Sequence, residues 1–185
     1  SRALYGIHVA RDGIRSLGSA LLVEGQLDLL LAHQAGYKNT VATSGTAFTE
    51  KHAELVKRYT QNLLIAYDGD RAGIAAAGRA AGIALQAGMN VKIAKFPAGL
   101  DPADLLSKTP DLFKTAVREA MHVVDFYISH ITDAKYDQRT FRLEVSRTVL
   151  PFVALIPNTL ERAHVVNRVA QARSVSEEAV KGELA

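Results

Sequence analysis

The chain has 185 residues, 48% of them hydrophobic, with 22 Lys and Arg against 19 Asp and Glu. That length suits one domain of typical size and a smaller appendage, and the apolar share allows a substantial core. With no cysteine, disulfides, thiolate catalysis and cysteine-based zinc sites are excluded, and no apolar run approaches the roughly 18 residues that cross a bilayer.

The formal charge of +3 is compatible with nucleic acid without pointing to it. The histidines are scattered and show no metal-ligand spacing. The chain opens on Ser1 with no signal-peptide pattern and stops in a helix-like segment at Ala185. A piece of something longer is therefore expected.

Residues 2–17 place Leu4, Ile7, Ile14 and Leu17 at helical spacing, with Gly18 as a C-cap. Residues 20–23 are a short apolar run and read as a strand. Glu24 ends that strand, and Asp28 falls in the first turn of a helix over residues 26–35. Residues 39–43 read as the second strand. The small-residue turn Ser44-Gly45-Thr46 follows, then a helix capped by Thr49 with His52 at N3. Residues 62–67 make the third strand and residues 70–86 a helix whose alanines and glycines let it lie close to a sheet. Residues 90–96 alternate as a fourth strand. Asp101 and Pro102 open the next helix as N-cap and N1. Beyond Pro110 the pattern is helical. Pro151 kinks or splits a helix over residues 141–156, another runs from Thr159 to Arg173, and Ser176 with Glu178 opens a last one.

Strands alternating with helices call for a parallel, doubly wound sheet. Sites in such sheets form at the carboxyl ends of the strands, which brings Glu24, Asp68, Asp70 and Asp101 to one edge. Residues two apart in extended chain point to the same side, so Asp68 and Asp70 can aim at one point, and Gly69 between them permits close approach. Clustered carboxylates suit Mg²⁺ or Mn²⁺. Singly, each acid has a plainer reading. Asp68 and Asp70 fit a turn or cap, Glu24 a strand-end surface acid, Asp28 a first-turn acid facing the helix dipole, and Asp101 an ordinary helix opening. Jointly those readings lose force. Arg71 either grips a triphosphate bidentately or balances Asp68 or Asp70. Ser44, Gly45 and Thr46 contact phosphate or simply turn the chain. Arg2, Arg11, Arg15, Lys51, Lys57, Arg58, Lys92 and Lys95 form part of a nucleic-acid backbone track or solvated faces. Tyr5 and Tyr67 are candidates for base stacking, with packing the simpler role for Tyr67.

Glu24-Gly25-Gln26-Leu27-Asp28, Ser44-Gly45-Thr46, Tyr67-Asp68-Gly69-Asp70-Arg71-Ala72-Gly73 and Asp101-Pro102, in this order, resemble the catalytic TOPRIM region of bacterial DnaG-type primases. Leu4-Tyr5-Gly6 resembles the run leading into that region, and the tail is similar to the helical segment closing the family's RNA polymerase domain. The resemblance implies an α/β fold with a TOPRIM-like parallel sheet of about four strands flanked by helices, followed by a C-terminal all-helical subdomain. The expected divisions are a leading helix over residues 1–18, the metal-binding domain over 19–109 and a helical bundle over 110–185.

The implied activity is metal-dependent nucleotidyl transfer, making RNA primers from nucleoside triphosphates on a single-stranded DNA template during replication. Glu24, Asp28, Asp68, Asp70 and Asp101 match the family's acidic site for two or more Mg²⁺ or Mn²⁺ ions, with no zinc in this stretch. Glu24 is a ligand or the general base, and Asp28 supports the site or takes a further ion. Many members read D-P-D, but here Ala103 stands at the second aspartate's place. Asp104 follows it, about 100° further round the helix, and carries low weight. The implied setting is the bacterial cytoplasm, at the replication machinery and away from any membrane, with a replicative helicase engaged through parts outside this sequence. The upstream basic portion that grips template is also outside it, so little synthesis is expected from this stretch alone. The other readings are a D-x-D phosphatase with Asp68 as nucleophile, another TOPRIM enzyme (a nuclease or part of a topoisomerase), and a fragment that only binds metal and single strands.

Overall fold

Four short apolar runs form parallel strands: β1 (Ala20–Val23), β2 (Thr40–Ala42), β3 (Asn62–Ile65) and β4 (Asn90–Ile93). In this computed structural model, residues 4–171, 180 and 182 are described. β1 is buried along its whole length, as a strand covered on both faces must be. The sheet order is β2-β1-β3-β4, with the two-residue β5 (Met121–His122) at the β4 edge. Leu22 sits between Val41 of β2 and Ile65 of β3, and Ile65 pairs with Ile93 of β4. The chain winds outward from β1 to β2, then crosses back over β1 to β3. Its winding therefore reverses between β1 and β3, the place where open parallel sheets form their crevice.

Helices α1 (Ile7–Leu17), α2 (Gln26–Gln34), α3 (Glu50–Lys57), α4 (Arg71–Gln86), α5 (Pro102–Lys108) and α6 (Pro110–Arg118) accompany this sheet. The small-residue face of α4, with Gly73, Ala77, Ala80, Ala81 and Ala84, is buried. Tyr37, Phe96 and Phe113 fill the core beside the sheet. Phe113 stacks on Phe96 at 5.6 Å and meets Tyr37 edge-on at 5.0 Å. Because α6 supplies Phe113 to this core, the first compact unit runs past residue 109 and ends at Met121.

Some local expectations shift. The first helix begins at Ile7. Before it, Tyr5 pairs antiparallel with Ala42, donating its N–H at 2.9 Å and accepting at 3.0 Å. Gly6, at φ +78°, then turns the chain into α1. The third and fourth strands end at Ile65 and Ile93, earlier than expected, although the Ala66 and Ala94 N–H groups still donate to the Leu22 and Ile65 carbonyls at 2.8 and 2.9 Å.

The second unit, from His122, is helical: α7 (Val123–Asp133), α8 (Gln138–Glu144), α9 (Leu150–Ala154) and α10 (Thr159–Gln171). Tyr127 stacks on Phe152 at 5.1 Å, and an Asp125–Arg168 ion pair ties α7 to α10. The helical run around Pro151 extends from Gln138 to Ala154 and is divided by a change of winding. The turn before the proline widens into a π-helix over Val145–Val149, which accommodates a residue that has no N–H and crowds the carbonyl four back. Arg173, Ser176 and Glu178 lie outside the described residues. Among the described residues, no helix is long and apolar enough to cross a membrane.

Gly69 is where the loop after β3 meets the loop after β4. Its N–H donates to the Leu100 carbonyl at 3.1 Å, and a Cβ there would stand 2.4 Å from the Pro97 carbonyl oxygen. The close approach foreseen for this glycine is thus made by backbone. Gly69→Ala is expected to lower folding stability by about 1–3 kcal/mol, measured by urea denaturation, because the Pro97 carbonyl it would strike is main chain.

Candidate active site

Three loops at the carboxyl ends of β1, β3 and β4 carry the acids. Glu24 follows Val23 directly and is half-buried. Burial raises its pKa above the usual carboxylate value. The charges of Asp28 and Asp70 push the same way, and Arg79 opposes them. Asp68 lies three residues past Ile65, and its pKa is pushed up to about 6. Burial is the largest cause, followed by Asp28, Glu24, Asp101 and Asp70. Four carboxylates separated by as many as 77 positions therefore act on one.

Asp70 is the N-cap of α4, its Oδ1 accepting the Gly73 N–H at 2.7 Å. Gly73 fits there because its missing Cβ would lie 2.3 Å from the Asp68 carbonyl oxygen. Asp101 caps α5 in the same way, its Oδ1 accepting the Asp104 N–H at 2.6 Å. Each cap occupies one oxygen and leaves its partner oxygen for other work. Asp28 is different. It is buried to 8% exposure. Its Oδ2 accepts the Gly25 N–H at 2.9 Å and its Oδ1 the Ala103 N–H at 3.1 Å. Burial raises its pKa, Asp101 adds to this, and the two N–H donors oppose it. Asp104 pairs with Lys108 at 2.7 Å along α5.

The turn after β2 is laced to the Glu24 loop. Ser44 donates its N–H to the Glu24 carbonyl at 2.9 Å and accepts from Gln26 on its hydroxyl at 2.6 Å. Ser44 and Gly45 both take positive φ, 54° and 75°. The Thr46 hydroxyl donates to the Thr43 carbonyl at 2.8 Å. These are the bonds of a tight turn, and they use the Ser44 N–H that a phosphate would otherwise meet. Arg71, the first residue of α4, is exposed.

Arg79 was missed by the sequence reading. It is exposed two turns further along α4, on the ridge that Arg71 and Ala75 share at four-residue steps, and its charge lowers the pKa of Glu24 and of Tyr67. Its signal was that spacing alone, inside a run of alanines. Tyr67 is buried, burial pushes its pKa up to about 12, and it shares a hydrogen bond with Thr43. It packs and offers no face to a base. Of the proposed basic track, Arg15 lies over the Tyr59 ring at 5.0 Å and Lys57 donates to the Ala87 carbonyl, while Arg2 lies outside the described residues.

Among the described residues, no three His, Asp or Glu side chains are gathered closely enough to hold an ion as they stand. The donor set nevertheless fits a hard divalent cation: all oxygen, in excess negative charge, with free oxygens on Asp70 and Asp101.

Residues 21–106 match the Toprim-like family model. The chain is 33% identical over 185 residues to the DNA primase of Halalkalibacterium halodurans, covering 98% of this chain and 31% of that protein. It thus spans about a third of the length of the curated relatives it matches. The crystal structure of the Aquifex aeolicus primase, with zinc-binding and RNA polymerase domains, superposes with a TM-score of 0.82 at 27% identity, over 97% of this chain and 43% of that one. A DnaG primase catalytic domain bound to single-stranded DNA superposes with a TM-score of 0.77 at 27% identity, over 96% of this chain and 58% of that one.

A group held above its unfolded pKa binds its proton more tightly in the folded state, so its contribution to stability is lost as pH rises through the folded value. For Asp68 that window runs from 3.8 to about 6. In chelator at low salt, Asp68→Asn is therefore expected to melt higher than the parent at pH 7 and close to it at pH 4, read by calorimetry.

Proposed function

We propose, from the premise that residues 21–106 are a Toprim-like domain in a chain homologous to the catalytic core of DNA primases, that the acidic rim carries out nucleotidyl transfer in primer synthesis. A 3′-hydroxyl attacks the α-phosphate of a nucleoside triphosphate on a single-stranded DNA template, extending RNA and releasing pyrophosphate. The observation that carries this reading is the convergence on Asp68, where acids from three separate loops act on one carboxyl group.

Asp68, Asp70 and Asp101 are the residues to hold Mg²⁺ or Mn²⁺, two ions or more, Asp70 and Asp101 through the oxygens their caps leave unused. Such ions, when bound, neutralise the leaving pyrophosphate and make the attacking hydroxyl more acidic. Glu24, at the end of β1 beside the other acids, with its carboxyl made more basic by burial, is the residue to take the proton. Arg71 and Arg79, exposed on one ridge of α4, are placed to face phosphate oxygens, where guanidinium makes charge-assisted bonds. The single-stranded DNA on a related catalytic domain supports the same template here. The reading extends to a replicative helicase, engaged through parts beyond this sequence, and to the bacterial replication machinery as its setting.

Two results are expected. Mg²⁺ raises the melting temperature of the parent chain by mass action and leaves Asp68→Asn unmoved. Nucleotide incorporation into a primed single-stranded template is weak from this chain alone, strictly dependent on divalent ion, and reduced by about 100-fold or more in Glu24→Gln, beyond what supporting groups of a metal centre cost. Strand nicking or phosphate release under the same conditions, without incorporation, would turn the reading to a nuclease or a phosphatase.

A further inference from the structure

We infer that Asp28 is a positioning residue, a carboxylate strap that joins the Glu24 loop to the start of α5 and so sets the separation of the Glu24 and Asp101 arms. The inference deepens the proposed reading of the rim and rests on it for the identity of the cation.

Asp28 sits at the third position of α2, one turn from Gly25, and is 8% exposed. A buried carboxylate is tolerated when its oxygens are hydrogen-bonded. Here both are, and the two donors belong to different loops. Oδ2 takes the Gly25 N–H at 2.9 Å, next to Glu24 in the chain. Oδ1 takes the Ala103 N–H at 3.1 Å, 75 residues away and two beyond Asp101. Both donors are main-chain groups at helix starts, which have no partner inside the helix and carry the positive end of its dipole. One side chain thus fixes the starts of α2 and α5 against each other.

The geometry separates Asp28 from the other acids. Asp70 and Asp101 each give one oxygen to a cap within their own loop, whereas Asp28 gives both and bridges two loops. Drawing Asp28 onto a cation and away from either donor would leave a buried N–H unpaired, which is costly. Position 103 takes part through its main-chain N–H, so alanine there keeps the strap intact.

Asp28→Asn tests this in the chain as it stands. Asparagine keeps one acceptor and turns an N–H₂ group on the other donor, so the bridge cannot close on both sides. Binding of Mg²⁺ alone is followed by calorimetry well below the melting temperature, and exchange of the Gly25 and Ala103 amides is followed by NMR. In the parent, both amides are expected to stay protected at saturating Mg²⁺. In Asp28→Asn both are expected to exchange faster together, with the same number of ions bound and Kd weakened about 10- to 100-fold, as for groups that orient metal ligands. Loss of protection in the Mg²⁺-saturated parent would overturn the strap, because the metal would have drawn the carboxylate away. So would an Asp28→Asn variant that binds one ion fewer at unchanged affinity, or one that differs from the parent in neither respect. The parent measurement decides the matter even where the variant does not fold. If the parent takes up no Mg²⁺, the proposed function fails on its own, while coupled exchange at two amides on different loops still decides whether Asp28 joins them.

Discussion

Like charges gathered on one rim repel, and the fold must hold them there by other means. Burial, and after it the charges of neighbouring acids, raise the proton affinity of Glu24, Asp28 and Asp68, and Asp68 is pushed up to about 6. What holds them is main chain. Gly69 gives its N–H to Leu100, Gly73 packs on the Asp68 carbonyl, and Ala103 bonds to Asp28. Gly69 in its loop and Gly73 in the first turn of α4 serve this knitting, since a Cβ at either would strike backbone oxygen. A neighbouring main chain cannot give way as a flexible side-chain tip can.

Such an arrangement is destabilising at neutral pH, and functional sites are where proteins keep such local conflicts. The conflict lies at the reversal of winding between β1 and β3, which the strand order creates independently of which residues occupy the loops. Beneath it β1 and β2 are buried along their whole length, β3 and β4 bury alternate residues, and α4 presents a buried alanine face. A rigid, apolar foundation lets short loops carry unfavourable charge without the strands moving apart.

Much of this was legible because it is local. Apolar runs of strand length, caps at Thr49 and Asp101, and the small-residue face of α4 each follow from neighbouring residues, and the structure shows them. Strand ends were less legible. Asn62 and Asn90 begin β3 and β4 as expected, but buried residues such as Tyr67 and Phe96 lie past the strand ends at Ile65 and Ile93. Burial alone does not tell a strand from a buried loop. The start of α1 was misread for a related reason: Leu4 falls in helical register with Ile7, but Tyr5 bonds to Ala42, a partner far along the chain.

The amino-acid order determined which acids exist, that each stands at the end of a strand or the start of a helix, and that the sheet is parallel. Those properties follow from short-range spacing, capping chemistry and hydrophobic pattern. Tertiary structure decided the roles within that set. It gave one oxygen of Asp70 and of Asp101 to caps, both oxygens of Asp28 to a bridge, and Asp104 to Lys108, and it brought Arg79 to bear on Glu24. A carboxylate reads the same in any sequence. Which of its oxygens remain free depends on N–H groups that only folding brings within about 3 Å.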